Sequence, residues 1–142
     1  FEDGDGFHPP ANVAKMSAGT PLTDEDRWPW LRAIAARLAA ARAAGAPVII
    51  GCSALKRAYR DVLRDGHADI RFLHLTGPAE LIMARQAARA GHFMPASLIA
   101  SQFATLEMPE TEADVIDLDV DPEPPAIVEK AFAALRRRGD LA

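Results

Sequence analysis

Three short apolar runs constrain this chain most: Val48 to Cys52 (VIIGC), Ile70 to Thr76 (IRFLHLT) and Val115 to Asp119 (VIDLD). Each has strand length, and VIIGC is continuous in the way of a parallel strand buried on both faces. Phe1-Glu2-Asp3 adds the tail of a further strand. Segments of helical spacing separate the runs. Pro9 to about Met16 predicts a short helix, with proline in its first turn. The longest signal starts at Thr23, a capping residue followed by Asp24, Glu25 and Asp26, with Leu31, Ile34, Leu38 and Ala41 recurring behind it. Pro29 predicts either a kink in that helix or a start nearer Asp26.

After VIIGC, Leu55, Tyr59, Val62 and Leu63 share one helical face, closed by Gly66. Gly77-Pro78 opens the next helix, and residues 96–107 form another with Ile99, Phe103 and Leu106 inward. Pro125 opens the last, with Ile127, Val128, Ala131, Phe132 and Leu135 as its buried face and Arg136 to Arg138 at its negative end. Strand, helices, strand, helix, strand, two helices, strand, helix is the order of an α/β parallel sheet flanked by helices on both faces.

A length of 142 residues fits one domain, 1–142. The net charge of −4 supplies no basic field for nucleic acid or anionic membrane, and no apolar run approaches the roughly 20 residues of a membrane span. The single cysteine, Cys52, excludes an internal disulfide and a cysteine-built zinc site; it fits a reducing cytoplasm. Only Lys15, Lys56 and Lys130 are lysines. The prevalence of arginine fits anion recognition, and equally a GC-rich genome.

In open α/β sheets, ligands sit beyond the carboxyl ends of the strands. The first strand delivers Asp3, Asp5 and His8, the second Ser53, Lys56 and Arg60. The helix after the third leads to Arg85, Arg89 and His92, and the fourth strand delivers Asp119 and Asp121. One edge thus collects acids, histidines and cations, which suits an anionic substrate with hydroxyls. Plainer roles stand beside these. The D-G-D of residues 3–5 also reads as a turn whose aspartates bind their own backbone. Asn12 and Lys15 line a cradle or merely cap and solvate a short helix; Lys56 and Arg60, four apart, share one helix face. Trp28 and Trp30 read as packing, and Cys52 as a small buried hydrophobe.

The stretch DGDGFHPPANVAKMSAGTPLTDEDRWPWL resembles the signature of the thermoresistant gluconokinases, P-loop kinases akin to shikimate and nucleoside monophosphate kinases. CSALKRAYRDVLR, the arginine pair before GHFMP, and SQFATLE match the same family in order, so the resemblance covers nearly the whole chain. It implies transfer of the γ-phosphoryl of ATP, with Mg²⁺, to the 6-hydroxyl of D-gluconate, in a cytoplasmic homodimer. It further implies a substrate-binding segment at about 5–31 and a lid at about 85–107.

By the same resemblance Asp5 is the base that orients the acceptor hydroxyl, and Asp3 lies on the metal side. His8, Asn12, Lys15, Lys56, Arg60 and His92 contact substrate. Arg85 and Arg89 clamp the transferring phosphoryl group, and Asp119, Asp121 and Pro122 border the nucleotide. Gln102 and Glu107 match the pattern without a derived role.

The family's opening strand and its loop G-x-x-x-x-G-K-[ST] do not occur in these 142 residues. That strand is central to the family's sheet. About 30 residues carrying strand and loop are expected upstream of Phe1, and the chain without them is expected to be inactive. A kinase of another hydroxy acid such as shikimate, or a non-catalytic sugar-acid-binding module, are the alternatives.

Overall fold

The structure, a computed structural model, describes residues 1–88 and 97–141. These form two units: Phe1–Gly66 with residues 97–108, and residues 67–88 with 109–141.

In the first unit, β1 (Glu2–Asp3) pairs in parallel with β2 (Ile50–Gly51), with Glu2 opposite Ile50 and Asp3 opposite Gly51. A single 3-10 turn, Gly4–Phe7, carries the chain from β1 toward α1 (Pro10–Ser17). The long helix α2 (Asp24–Ala43) packs against α3 (Arg57–Arg64), and α5 (Ser97–Thr105) completes the unit.

Helix α2 starts where its sequence is best capped. Thr23 accepts from the Asp26 N–H, and the Asp26 carboxylate accepts from the Thr23 N–H, a reciprocal capping box. This start overturns one of the two readings that Pro29 raised, the later start. The helix begins at Asp24 rather than near Asp26 and continues through the proline. A proline in the second turn removes only the bond to the Glu25 carbonyl, which lies close to the solvated helix end.

Trp30, Leu31 and Ile34 from α2 and Tyr59 and Leu63 from α3 are buried. Met16, Leu22 and Leu98 form a second apolar cluster. Burying side chains of this size contributes about 1.5–3 kcal/mol each, and α2 also packs against the 3-10 turn that follows β1. Glu2 is tied to Arg37 of α2 by hydrogen bonds of 2.5 to 3.1 Å. The expectation that VIIGC is a strand buried on both faces is not met. Only Ile50 and Gly51 are strand, their one strand neighbour among the described residues is β1, and Ile49 is 59% exposed. A two-stranded ribbon lacks the width to enclose both faces of either member.

In the second unit, β3 (Phe72–Thr76) and β4 (Val115–Asp119) are parallel, in register from Phe72 opposite Val115 to Thr76 opposite Asp119. Helix α4 (Ala79–Ala88) follows β3, and α6 (Pro124–Arg138) packs on β4. Ile116, Leu118 and Ala131 are the core, with Leu73, Ile127, Ala134 and Leu135 against them. Gly139 ends α6 in the left-handed conformation, φ 78°. Val128 and Phe132, expected to be buried, are 52% and 46% exposed. One helix stripe, 127/131/134/135, covers the strands and leaves 128/132 outside. Phe103 of α5 is likewise exposed, while Leu98 and Ile99 are buried.

No helix among the described residues is long and apolar enough to cross a membrane. The parallel strands and interleaved helices bear out the α/β fold class.

Gly4 is where β1 turns into the site. A Cβ there would run into the carbonyl oxygen of Gly51 on the neighbouring strand. Both atoms are backbone, so neither can swing aside. Gly4→Ala is therefore expected to destabilise the protein by about 1–3 kcal/mol or more, read as a lowered denaturant midpoint. An unchanged midpoint would refute this close approach.

Candidate active site

The acidic motif sits on the 3-10 turn at the carboxyl end of β1. Asp3 caps that turn: its Oδ1 accepts the Asp5 N–H at 3.1 Å. This is the backbone-binding aspartate that a D-G-D turn predicts, and it aims the turn's residues beyond the strand end. Trp30 pins the turn from below, its Nε1–H donating to the buried Gly4 carbonyl at 2.7 Å. Trp30 is also stacked against the His8 ring, with centroids 4.2 Å apart and planes at 13°. Trp28 meets Tyr59 edge-on at 5.4 Å. Both tryptophans pack, as their sequence context indicated.

The protonation pattern of His8 follows from its neighbours. Asn12, 3% exposed, donates from Nδ2 to the Asp26 carbonyl at 2.7 Å, which fixes the orientation of its amide. The same Nδ2 lies 3.3 Å from His8 Nδ1. Nδ1 therefore accepts and the ring proton resides on Nε2. Burial, helped by the positive charge of Arg27, pushes the imidazole down from 6.5 to about 4, so it is neutral near pH 7. Asn12 and His8 thus form one unit, with the His8 Nε2–H as a donor.

The cations of the motif have distinct positions. Lys15 bonds both oxygens of Asp26 at 2.7 and 2.8 Å, and this bond is the main reason the Asp26 carboxyl is held at about 2. Lys56 bonds both oxygens of Asp24 at 2.8 and 2.9 Å, and Tyr59 donates its hydroxyl to the same carboxylate. The lysine contact first, then the tyrosine, lowers the Asp24 carboxyl; burial and this bond raise the Tyr59 hydroxyl.

Arg60, 4% exposed, is enclosed and donates to the carbonyls of Ala54 (2.8 Å), Leu55 (3.1 Å) and Glu107 (3.1 Å). The geometry gives it a structural post beneath the start of α3. Glu107, whose role the sequence left open, belongs to the same joint. Its Oε2 accepts the Arg57 N–H at 2.7 Å, and its own N–H donates to the Leu55 carbonyl at 2.8 Å. It caps α3 from a segment fifty positions away.

In the second unit, Arg85 reaches from α4 to the carbonyls of Asp121 (3.4 Å) and Pro122 (3.1 Å). Asp119 folds its own loop, accepting the Asp121 N–H at 2.9 Å. The expected nucleotide-side residues Arg85, Asp119, Asp121 and Pro122 are therefore brought together at the carboxyl end of β4. Arg89, His92 and the GHFMP part of the expected lid lie outside the described residues.

Arg27 drew no role from the sequence, though a signal was there. It stands three, four and seven residues before Trp30, Leu31 and Ile34, on the buried stripe of α2. It is 9% exposed, and its guanidinium lies 5.6 Å from the centre of the Tyr59 ring. Its charge bears on His8, Cys52, Tyr59 and Asp24, and Asp5 also acts on Cys52, whose thiol burial pushes up to about 12. The turn, α1, the start of α2 and the loop after β2 thus bring a carboxylate, a neutral imidazole donor and a guanidinium into one neighbourhood. That set suits a kinase acting on a small hydroxylated anion.

No protein-family model matches this chain. Individual relatives do. A gluconokinase of Gluconobacter oxydans (strain 621H) is 45% identical over 130 residues, which is 92% of this chain and 73% of the relative. A crystal structure of an unliganded sugar kinase from Janibacter sp. HTCC2649 superposes with a TM-score of 0.86 at 54% identity, covering 94% of this chain and 78% of that one. A gluconokinase from Sinorhizobium meliloti 1021 gives a TM-score of 0.82 at 47% identity, over 95% of this chain and 75% of that one. The chain belongs to the gluconokinase family.

The depressed His8 pKa has a measurable consequence. The folded imidazole holds its proton less readily than the unfolded one, so stability falls as pH drops from 6.5 toward about 4 and levels off below. The Asp26 carboxylate acts in a separate window, losing its contribution from 3.8 down to about 2. In His8→Gln, the melting temperature is expected to flatten across the upper window only. Equal slopes in variant and parent there would refute the assignment.

Proposed function

We propose that this chain is the acceptor-binding and nucleotide-bordering part of an ATP-dependent gluconokinase, which transfers the γ-phosphoryl group of ATP to the 6-hydroxyl of D-gluconate. The observation that carries this is family membership over almost the entire chain, joined to a cradle built at the carboxyl end of β1 and β2. Asp5 is the proposed base. It takes the proton of the 6-hydroxyl as that oxygen bonds to phosphorus, while the bond from phosphorus to the bridging oxygen breaks and ADP departs. His8, neutral and set by Asn12, donates to a substrate oxygen. Lys15 and Lys56 act on the cradle chiefly by bracing α1 and α3 to the start of α2.

Arg85, with Arg89, is proposed to stabilise charge on the transferring group, and His92 to contact substrate. Asp119, Asp121 and Pro122 border the nucleotide. Magnesium, bound with ATP, would offset phosphate charge, and Asp3 is the carboxylate proposed on its side. Among the described residues no cluster of three or more potential ligands occurs. A single kinase domain, a homodimer and a cytoplasmic location complete the proposal, the second open to light scattering.

The test is acceptor turnover by the full-length protein carrying this chain, with Mg-ATP and a panel including gluconate and shikimate. Gluconate is expected to be strongly preferred; preference for shikimate would replace the substrate. Asp5→Asn is expected to lower kcat by about 10²–10⁴-fold with the melting temperature little changed. Turnover at the parent rate would remove Asp5 as base.

A further inference from the structure

Two arginines of the substrate-side unit are buried, and their surroundings differ. Arg60 is enclosed by main-chain carbonyls that accept its protons. Arg27, 9% exposed, makes no side-chain hydrogen bond and no ion pair within the described residues. The nearby acids are engaged elsewhere. Asp24 holds Lys56 and Tyr59, and Asp26 holds Lys15 and the Thr23 N–H. Stacking near Tyr59 at 5.6 Å orients the guanidinium without neutralising it. No enclosed side-chain nitrogen or oxygen among the described residues lacks a partner, so the Arg27 nitrogens open on solvent while the stem is covered.

With its stem covered and its nitrogens at the solvent edge, hydrogen-bonded to no carboxylate among the described residues, the guanidinium is free to take an anion in use. The guanidinium fork matches a carboxylate with two parallel hydrogen bonds. Its charge is felt at His8 and Cys52, the groups that flank the Asp5 turn.

We propose that Arg27 receives the carboxylate of the acid substrate in the cradle and sets the preference for sugar acids over uncharged polyols. This rests on the gluconokinase reading. The reacting hydroxyl is at the other end of a six-carbon acid, so the contact is the same before and during phosphoryl transfer. It therefore governs KM more than kcat.

The test uses the full-length protein with gluconate and with glucitol, the uncharged alditol of the same length. Arg27→Met is expected to raise the KM for gluconate by about 100-fold, leave KM for ATP unchanged and kcat within about 3-fold, and leave glucitol unaffected. Arg27→Lys, which keeps the charge but not the fork, is expected to fall between. Circular dichroism and melting temperature establish that each variant folds. If Met lowers stability, calorimetric binding of gluconate to Arg27→Lys decides.

A folded Arg27→Met protein with parent KM for gluconate overturns the proposal. So does an equal loss for gluconate and glucitol, which marks a merely structural residue. Failure of the parent protein to phosphorylate gluconate would instead overturn the activity. Arg27 would then be judged by calorimetry on sugar acids against their alditols, and absence of any acid preference lost in Arg27→Met would overturn it.

Discussion

Asp24 and Asp26 stand two residues apart in the first turn of α2, and each takes a lysine from a different helix. Lys15 of α1 bonds Asp26, and Lys56 at the start of α3 bonds Asp24. Tyr59 and the Asn12 amide converge on the same turn. Exposed ion pairs of this kind contribute little singly, about 0–1 kcal/mol. Here they share one helix terminus, whose positive dipole end favours both carboxylates. Asp26 completes the cap of α2 and draws in α1 through Lys15, while Asp24 draws in α3 through Lys56 and Tyr59. The cradle exists because these three helices meet at one point, with β1 and β2 beneath them.

The arrangement also sorts the charges. A lysine on an aspartate at a helix end is neutralised and partly solvated, and it serves as a brace. Arg60, enclosed by carbonyls, is likewise structural. His8 is kept neutral by its burial and by the charge of Arg27. Asp3 turns inward on the backbone and holds the turn that carries Asp5. Most of the polar residues in the motif therefore build the geometry, and fewer of them face the cradle.

Much of the fold was legible from local patterns. The reciprocal cap of Thr23 and Asp26 spans three residues, and the strands β3 and β4 were delimited to within two residues by their apolar runs. Errors came where a pattern admits two faces. In α6, residues 127, 128, 131, 132 and 135 are all apolar, and only packing on a narrow two-stranded sheet decides that 128 and 132 stay outside. Pro29 suggested a kink or a start nearer Asp26 because proline disfavours helix interiors. The capping box ahead of it outweighed one missing hydrogen bond.

By itself the sequence determined the order and type of the elements, the family, and the presence of acids and a histidine at the end of the first strand. Local spacing and a long motif suffice for these. Only the tertiary structure decided which cations brace the fold and with which partners. Lys15 meets its acid across 11 positions, Lys56 across 32, and Arg60 its furthest carbonyl across 47. No periodicity reports contacts at such separations. Arg60 read as a substrate-facing residue on one helix face with Lys56 and Arg27 drew no role; what separates them is what folding brings within hydrogen-bonding reach of each.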